Sequence, residues 1–145
     1  MGLSCDTFRV LCWYKSKGLN LGRVLTVGRA QNNMTPREIR RIAAEFSLSG
    51  LISYRDDKYC ENLLSILGAS HVESIDVSDY ESATYTHNFN YQVKQELQNK
   101  FDTVIDCGTL EHVFNISQAF GNINFLLKFG GNYIGINPIS GQMGH

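Results

Sequence analysis

The chain has 145 residues, 43% of them hydrophobic and 19% charged, the profile of one globular domain that buries its core without disulfide or metal staples. Thirteen basic against fourteen acidic residues leave a formal charge of -1, so nothing in the balance favours DNA, RNA or an anionic membrane as partner. Cys5, Cys12, Cys60 and Cys107 are scattered without a CxxC pair or zinc-type spacing, and neither a signal peptide nor a bilayer-long apolar run is visible; a cytoplasmic protein with reduced thiols and no metal is expected.

In chain order, the spacing of Phe8, Leu11, Cys12 and Trp13 predicts a short helix over 7–16, ended by 18–20. Residues 23–28 form a β-branched apolar run closed by Gly28, which suits a buried parallel strand. Thr35, Pro36, Arg37 and Glu38 then read as a capping box with proline at the first helical position. Ile39, Ile42, Ala43 and Phe46 form the inward stripe of that helix. A further helix is expected over 57–67, packing Leu63, Leu64, Ile66 and Leu67 and stopping at Gly68. Strands are expected over 71–77, 83–89 and 101–106, with a polar, weakly helical stretch at 93–99. Asn115 caps a predicted helix in which Ile116, Ala119, Phe120, Ile123, Leu126 and Leu127 face inward. Gly130 and Gly131 are read as its end, and 132–137 as a fifth strand stopped by Pro138.

Short apolar strands separated by helices or crossovers predict an α/β fold with a doubly wound, mostly parallel sheet. Ligands of such sheets bind beyond the carboxyl ends of the strands, near the switch in strand order. That rule selects Gly28, Asp76, Asn88 and the run from Asp106 to Thr109. Gly28 lets a ligand approach the backbone, or merely permits a tight exit. Asp76 is placed to accept both hydroxyls of a ribose, or caps the next turn. Asp106, Cys107, Gly108, Thr109, Leu110, Glu111 and His112 make an abrupt polar cluster after an apolar strand. Lining of a ligand pocket by backbone and small side chains is the first reading of this cluster. Acid/base chemistry by Glu111 or His112, a Cys107 and His112 nucleophile pair, and a metal site with too few ligands remain as alternatives.

Together these segments resemble the class I S-adenosylmethionine-dependent methyltransferase superfamily, particularly its small-molecule-type bacterial members. The likeness runs over about 23–138 and is carried by 24–28, 72–79, 101–113 and the Lys128, Phe129, Gly130, Gly131 turn. It implies a Rossmann-like core over 21–145, preceded by a helical segment over 1–20, in a single domain. S-adenosylmethionine would be the cofactor and a small or unidentified molecule the methyl acceptor. The resemblance puts Gly28 with its neighbours Arg29 and Gln31 against the methionine part and Asp76 on the ribose. Val77 would lie on the adenine, Asn88 near its amine, and Cys107, Gly108 and Thr109 beneath the sulfonium, with Asp106 a further cofactor-binding position. On the enzyme reading, Glu111 or His112 would be the catalytic residue that accepts a proton.

Two departures stand out. Gly28 is followed by Arg29, Ala30, Gln31, Asn32 and Asn33 where the family has further glycines. The family also continues past the fifth strand with an antiparallel hairpin, whereas this sequence ends at Gly144 and His145. A core incomplete on its C-terminal side is therefore expected, either a fragment of a longer protein or self-associating through the 131–137 edge. A catalytically inactive scaffold is the second functional reading, and a nicotinamide dinucleotide module, lacking GxGxxG, the third.

Overall fold

The structure is a computed structural model that describes residues 2–50, 54 and 57–137. It opens with β1 (Gly2–Leu3), α1 (Cys5–Ser16), β2 (Gly22–Val27), β3 (Gln31–Asn32) and α2 (Pro36–Glu45). It continues with α3 (Glu61–Ile66), β4 (Ala69–Asp76), β5 (Tyr85–Thr86), β6 (Phe101–Asp106), α4 (Ile116–Leu126) and β7 (Leu127–Gly135). The main sheet has the order β5-β4-β2-β6-β7, and every neighbouring pair is parallel. From β2 the chain winds outward through β4 to β5, then crosses back to β6 and β7. This is a doubly wound, Rossmann-like α/β fold. Among the described residues, no helix is long and apolar enough to cross a membrane.

Side chains alternate across a pleated strand, so each strand feeds two cores. Val24 and Ile105 pack with Phe8, Leu11, Ile39, Ile42, Leu63 and Leu64 on the face covered by α1, α2 and α3. Leu25, Val27, Ile75 and Val104 pack with Phe89, Leu97, Ala119, Ile123 and Leu126 on the face covered by α4. Burial on both faces explains why the strands read as apolar runs rather than as alternating ones.

Local chemistry fixes the helix starts. The Ser4 hydroxyl accepts the Thr7 amide, and the Asn115 side chain accepts the Gln118 amide at 3.1 Å. At α2 the capping box is complete: Thr35 accepts the Glu38 amide, and the Glu38 carboxylate accepts the Thr35 amide at 2.8 Å.

Several expected elements are shorter or differently bounded. Trp13 is 50% exposed, one position past the buried stripe of α1. The predicted 57–67 helix begins only at Glu61, because the main chain before it is engaged elsewhere. The Asn32 amide donates to the Lys58 carbonyl and the Cys60 amide to the Ala30 carbonyl. β5 keeps two residues of the expected seven because Ser74 and Thr84 exchange side-chain bonds in place of ladder bonds. The 93–99 stretch is reduced to a 3-10 turn at Gln95–Leu97. Gly130 and Gly131 lie inside β7, which follows α4 directly, so they do not end the helix. Phe101 pairs with Leu127 but Thr103 with Asn132, so the extra residues between them are taken up as a bulge. The expected stop at Pro138 lies outside the described residues. On α4, Ile116 and Phe120 are exposed, and Asn122 is buried on its inner side instead.

Candidate functional site

The switch in strand order falls between β2 and β6, and the carboxyl ends of β2, β4 and β6 meet on one rim. Gly28 turns the chain off β2 with φ +77°, a left-handed conformation that a side chain would strain. Its amide donates to the Ile75 carbonyl at 2.7 Å, and the Arg29 amide donates to Asp76 Oδ2 at 3.4 Å. From the β6 side, the Thr109 hydroxyl donates to the Val27 carbonyl at 2.5 Å. Hydrogen bonds thus tie the carboxyl ends of β2, β4 and β6 to one another, through Gly28 and Ile75, Arg29 and Asp76, and Thr109 and Val27.

A cleft of about 310 Å³ opens on this rim, at the lower end of the range for small-molecule pockets. Val27, Ile75, Val77, Phe89 and Val113 give it an apolar lining. Asp76, Asn88 and Thr109, named from the sequence, border it, and His112 completes that group. His87 and Asn90, which the sequence reading did not single out, also line it. Their sequence signal was a run of polar residues, His87, Asn88 and Asn90, around Phe89 at the end of the expected 83–89 strand.

The remaining predicted residues stand behind this lining. Asp106 is fully buried, and its Oδ1 accepts the amides of Thr109 at 2.8 Å and Leu110 at 3.4 Å. The Tyr133 hydroxyl lies 3.4 Å from its Oδ2. Asp106 therefore shapes the turn that presents Thr109. Burial, reinforced by the Asp106 charge, pushes the Tyr133 phenol up to about 12. Gly108 has φ +88°, and a Cβ there would meet the Glu111 carboxylate at 3.6 Å. Burial first, and then the Asp106 charge, pushes the Cys107 thiol up to about 12. That shift disfavours the thiolate, the form in which a cysteine is nucleophilic.

Arg29 and Gln31 are drawn to the opposite side of the rim. The Arg29 guanidinium donates to Glu61 Oε1 at 2.7 Å and to the Glu81 carbonyl at 2.7 Å, and it stacks over the Tyr59 ring at 4.0 Å. Gln31 donates to the Glu81 carboxylate. These contacts staple the loop after β4 and so brace Asp76, whose oxygens also accept the Ser78 amide at 3.4 Å. Glu111 has a side chain only 14% exposed, and its Oε1 lies 3.5 Å from Nε2 of the more exposed His112. No group of three or more metal-ligating side chains occurs among the described residues.

No protein-family model and no curated protein sequence matches the chain. Among solved structures, it is similar to the trans-methyltransferase CalH in complex with SAH. That match has 13% sequence identity and a TM-score of 0.47, over 90% of this chain and 35% of the other. The chain thus spans about a third of that protein's length. At this level of similarity the neighbour bears on neither ligand nor reaction, and the strand order itself establishes the fold.

Proposed function

We propose that this chain is the cofactor-binding core of an S-adenosylmethionine-dependent methyltransferase, a cytoplasmic enzyme acting on a small or unidentified acceptor. The observation that carries this reading is the meeting of Asp76, Thr109 and the apolar cleft at the switch point of the sheet. The cleft suits an adenosyl group on three counts. Val77, Phe89 and Val113 offer apolar surface to a base. Asp76 offers a carboxylate to ribose hydroxyls. Both lie by strand carboxyl ends beside the switch in strand order, the region in which nucleotide ligands of doubly wound sheets bind, which supports the reading.

When bound, the cofactor supplies a methyl group on a positively charged sulfur, open to in-line displacement by an acceptor. The chain's own contribution is positional: a rigid floor from three strand ends, and a wall that excludes water from the base. His112 lines the cleft with Glu111 Oε1 3.5 Å from its Nε2, and in this reading one of the two takes up a proton from the acceptor. The other cofactor-binding positions expected from the sequence, Gly28, Arg29, Gln31, Asp106, Cys107 and Gly108, serve in this reading by holding the rim in shape.

Calorimetry and thermal denaturation with S-adenosylhomocysteine test the proposal. At 100 times its dissociation constant the ligand should raise stability by about 2.7 kcal/mol. Asp76→Ala should weaken binding at least about tenfold, the worth of a charge-assisted hydrogen bond. Absence of any shift at millimolar ligand would refute it. The second reading, a binding module without turnover, draws on the Gly28 and Arg29 amides, both engaged within the protein. Binding without methyl transfer to any acceptor would favour it.

A further inference from the structure

His87 and Asn88 stand side by side on the wall of the cleft. The resemblance would give Asn88 the task of meeting an adenine amine, which needs an acceptor. Its one acceptor is already engaged: Asn88 Oδ1 accepts the main-chain amide of Asn90 at 3.0 Å and the Asn90 side-chain amide at 2.8 Å. A main-chain N–H can only donate, so the orientation of the Asn88 amide is fixed with its oxygen turned toward Asn90. What Asn88 retains is Nδ2, a donor.

The acceptor is found one residue earlier. His87 Nε2 lies 3.1 Å from the Tyr91 carbonyl oxygen. A carbonyl can only accept, so Nε2 carries the hydrogen, and Nδ1 of the neutral ring is left with its lone pair. Nδ1 has no hydrogen-bond partner among the described residues. The ring is held from two sides. Tyr91 O is itself fixed by the buried Asn122 side chain at 2.8 Å. Phe89 meets the imidazole edge to face, with centroids 6.2 Å apart. An acceptor and a donor on consecutive residues that line the cleft are complementary in kind to the amine and the adjacent ring nitrogen of a 6-aminopurine.

We infer that His87, through Nδ1, reads the exocyclic amine of an adenine base in the cleft, while Asn88 donates to a ring nitrogen beside it. This rests on the proposal that the cleft seats an adenosyl group. It adds that base selectivity resides in a histidine whose tautomer the protein sets, rather than in the residue at the position expected from the family.

The test compares adenosine with purine riboside, which lacks only the amine, by calorimetry on the wild-type chain and on His87→Phe. The wild type should bind adenosine about five- to tenfold more tightly, the range of one net hydrogen bond. His87→Phe keeps a flat ring against Phe89 and should bind the two nucleosides equally. Equal affinities in the wild type would overturn the inference while leaving the nucleoside site intact, and this arm needs no variant to fold. Discrimination that persists in a folded His87→Phe would also overturn it. Failure of the wild type to bind either nucleoside at millimolar concentration would remove the site reading itself, and the inference with it.

Discussion

The Thr109 hydroxyl donates to the main-chain carbonyl of Val27 and so joins the ends of β6 and β2 where the winding of the sheet reverses. In an open parallel sheet this is where two diverging crossovers leave a gap. One side chain spans it. The bond both closes the floor of the cleft and holds the turn begun by Asp106 in register with β2.

Thr109→Val keeps the shape of that side chain and removes its hydroxyl. The Val27 carbonyl then loses its partner at a partly buried position, which should cost about 1–2 kcal/mol. Thr109→Ser should recover most of that loss. Urea unfolding midpoints of the three proteins measure it, and equal midpoints for Val and Thr would show that the bond contributes nothing.

Asn122 is a stronger case. Its Oδ1 accepts the Val93 amide at 3.2 Å, and its Nδ2 donates to the carbonyls of Phe89 at 3.1 Å and Tyr91 at 2.8 Å. Asn122→Leu would strand these main-chain groups in a buried setting, at a cost on the order of 3 kcal/mol. Nucleoside affinity should fall as well, because the same groups hold the wall that carries His87. A variant that unfolds at the wild-type midpoint would contradict this account of the wall.

Stability should drop on the acid side. Hydrogen bonds from the Thr35 amide and hydroxyl hold Glu38 below its ordinary 4.5, and Arg9 does the same for Glu45. Burial opposes ionisation of Glu73, but Arg23, Tyr85 and Lys100 outweigh it. Lys128 and the Arg23 amide lower Asp102 from 3.8. All four carboxyls are depressed in the folded state, so their contribution is complete above pH 4.5 and is lost as pH falls through the folded values. Unfolding midpoints should be level from about pH 5 to 7 and decline below that range. A midpoint that rises on acidification would reverse the sign.

The thiols set the other limit. Burial chiefly raises Cys12, Cys60 and Cys107 from 9.0 to about 12. A raised value in the folded state gives stability that is complete below pH 9.0 and lost as pH climbs toward 12. At pH 8, iodoacetamide should modify these three far more slowly than it does in urea. Mass spectrometry of the alkylated chain measures this, and native labelling as rapid as in urea would contradict it.

What the sequence disclosed was local. The Thr35 and Glu38 capping box and the 101–106 strand could be read because their causes lie within a few residues. Gly130 and Gly131 looked like a helix stop because a glycine pair has the same signature in a turn and in a bulged strand, and only pairing with β6 separates the two. Phe120 fitted the apolar stripe, but its place on α4 faces the open side, and the buried Asn122 resembled any surface polar residue. The strand-end rule led to Asp76 and Thr109. It did not lead to His87, whose role depends on a carbonyl four residues onward and on a side chain from α4.

The exchange between Ser74 and Thr84 gives the cleft two mechanically unlike sides. The floor is woven from main-chain ladders of β2, β4 and β6, which yield only when the sheet itself comes apart. The wall beyond β5 hangs from two hydroxyl bonds and a two-residue strand at one end, and from Asn122 at the other. Amide protons over 85–93 should therefore exchange in step with one another and ahead of the floor, and a bound nucleoside would slow them together.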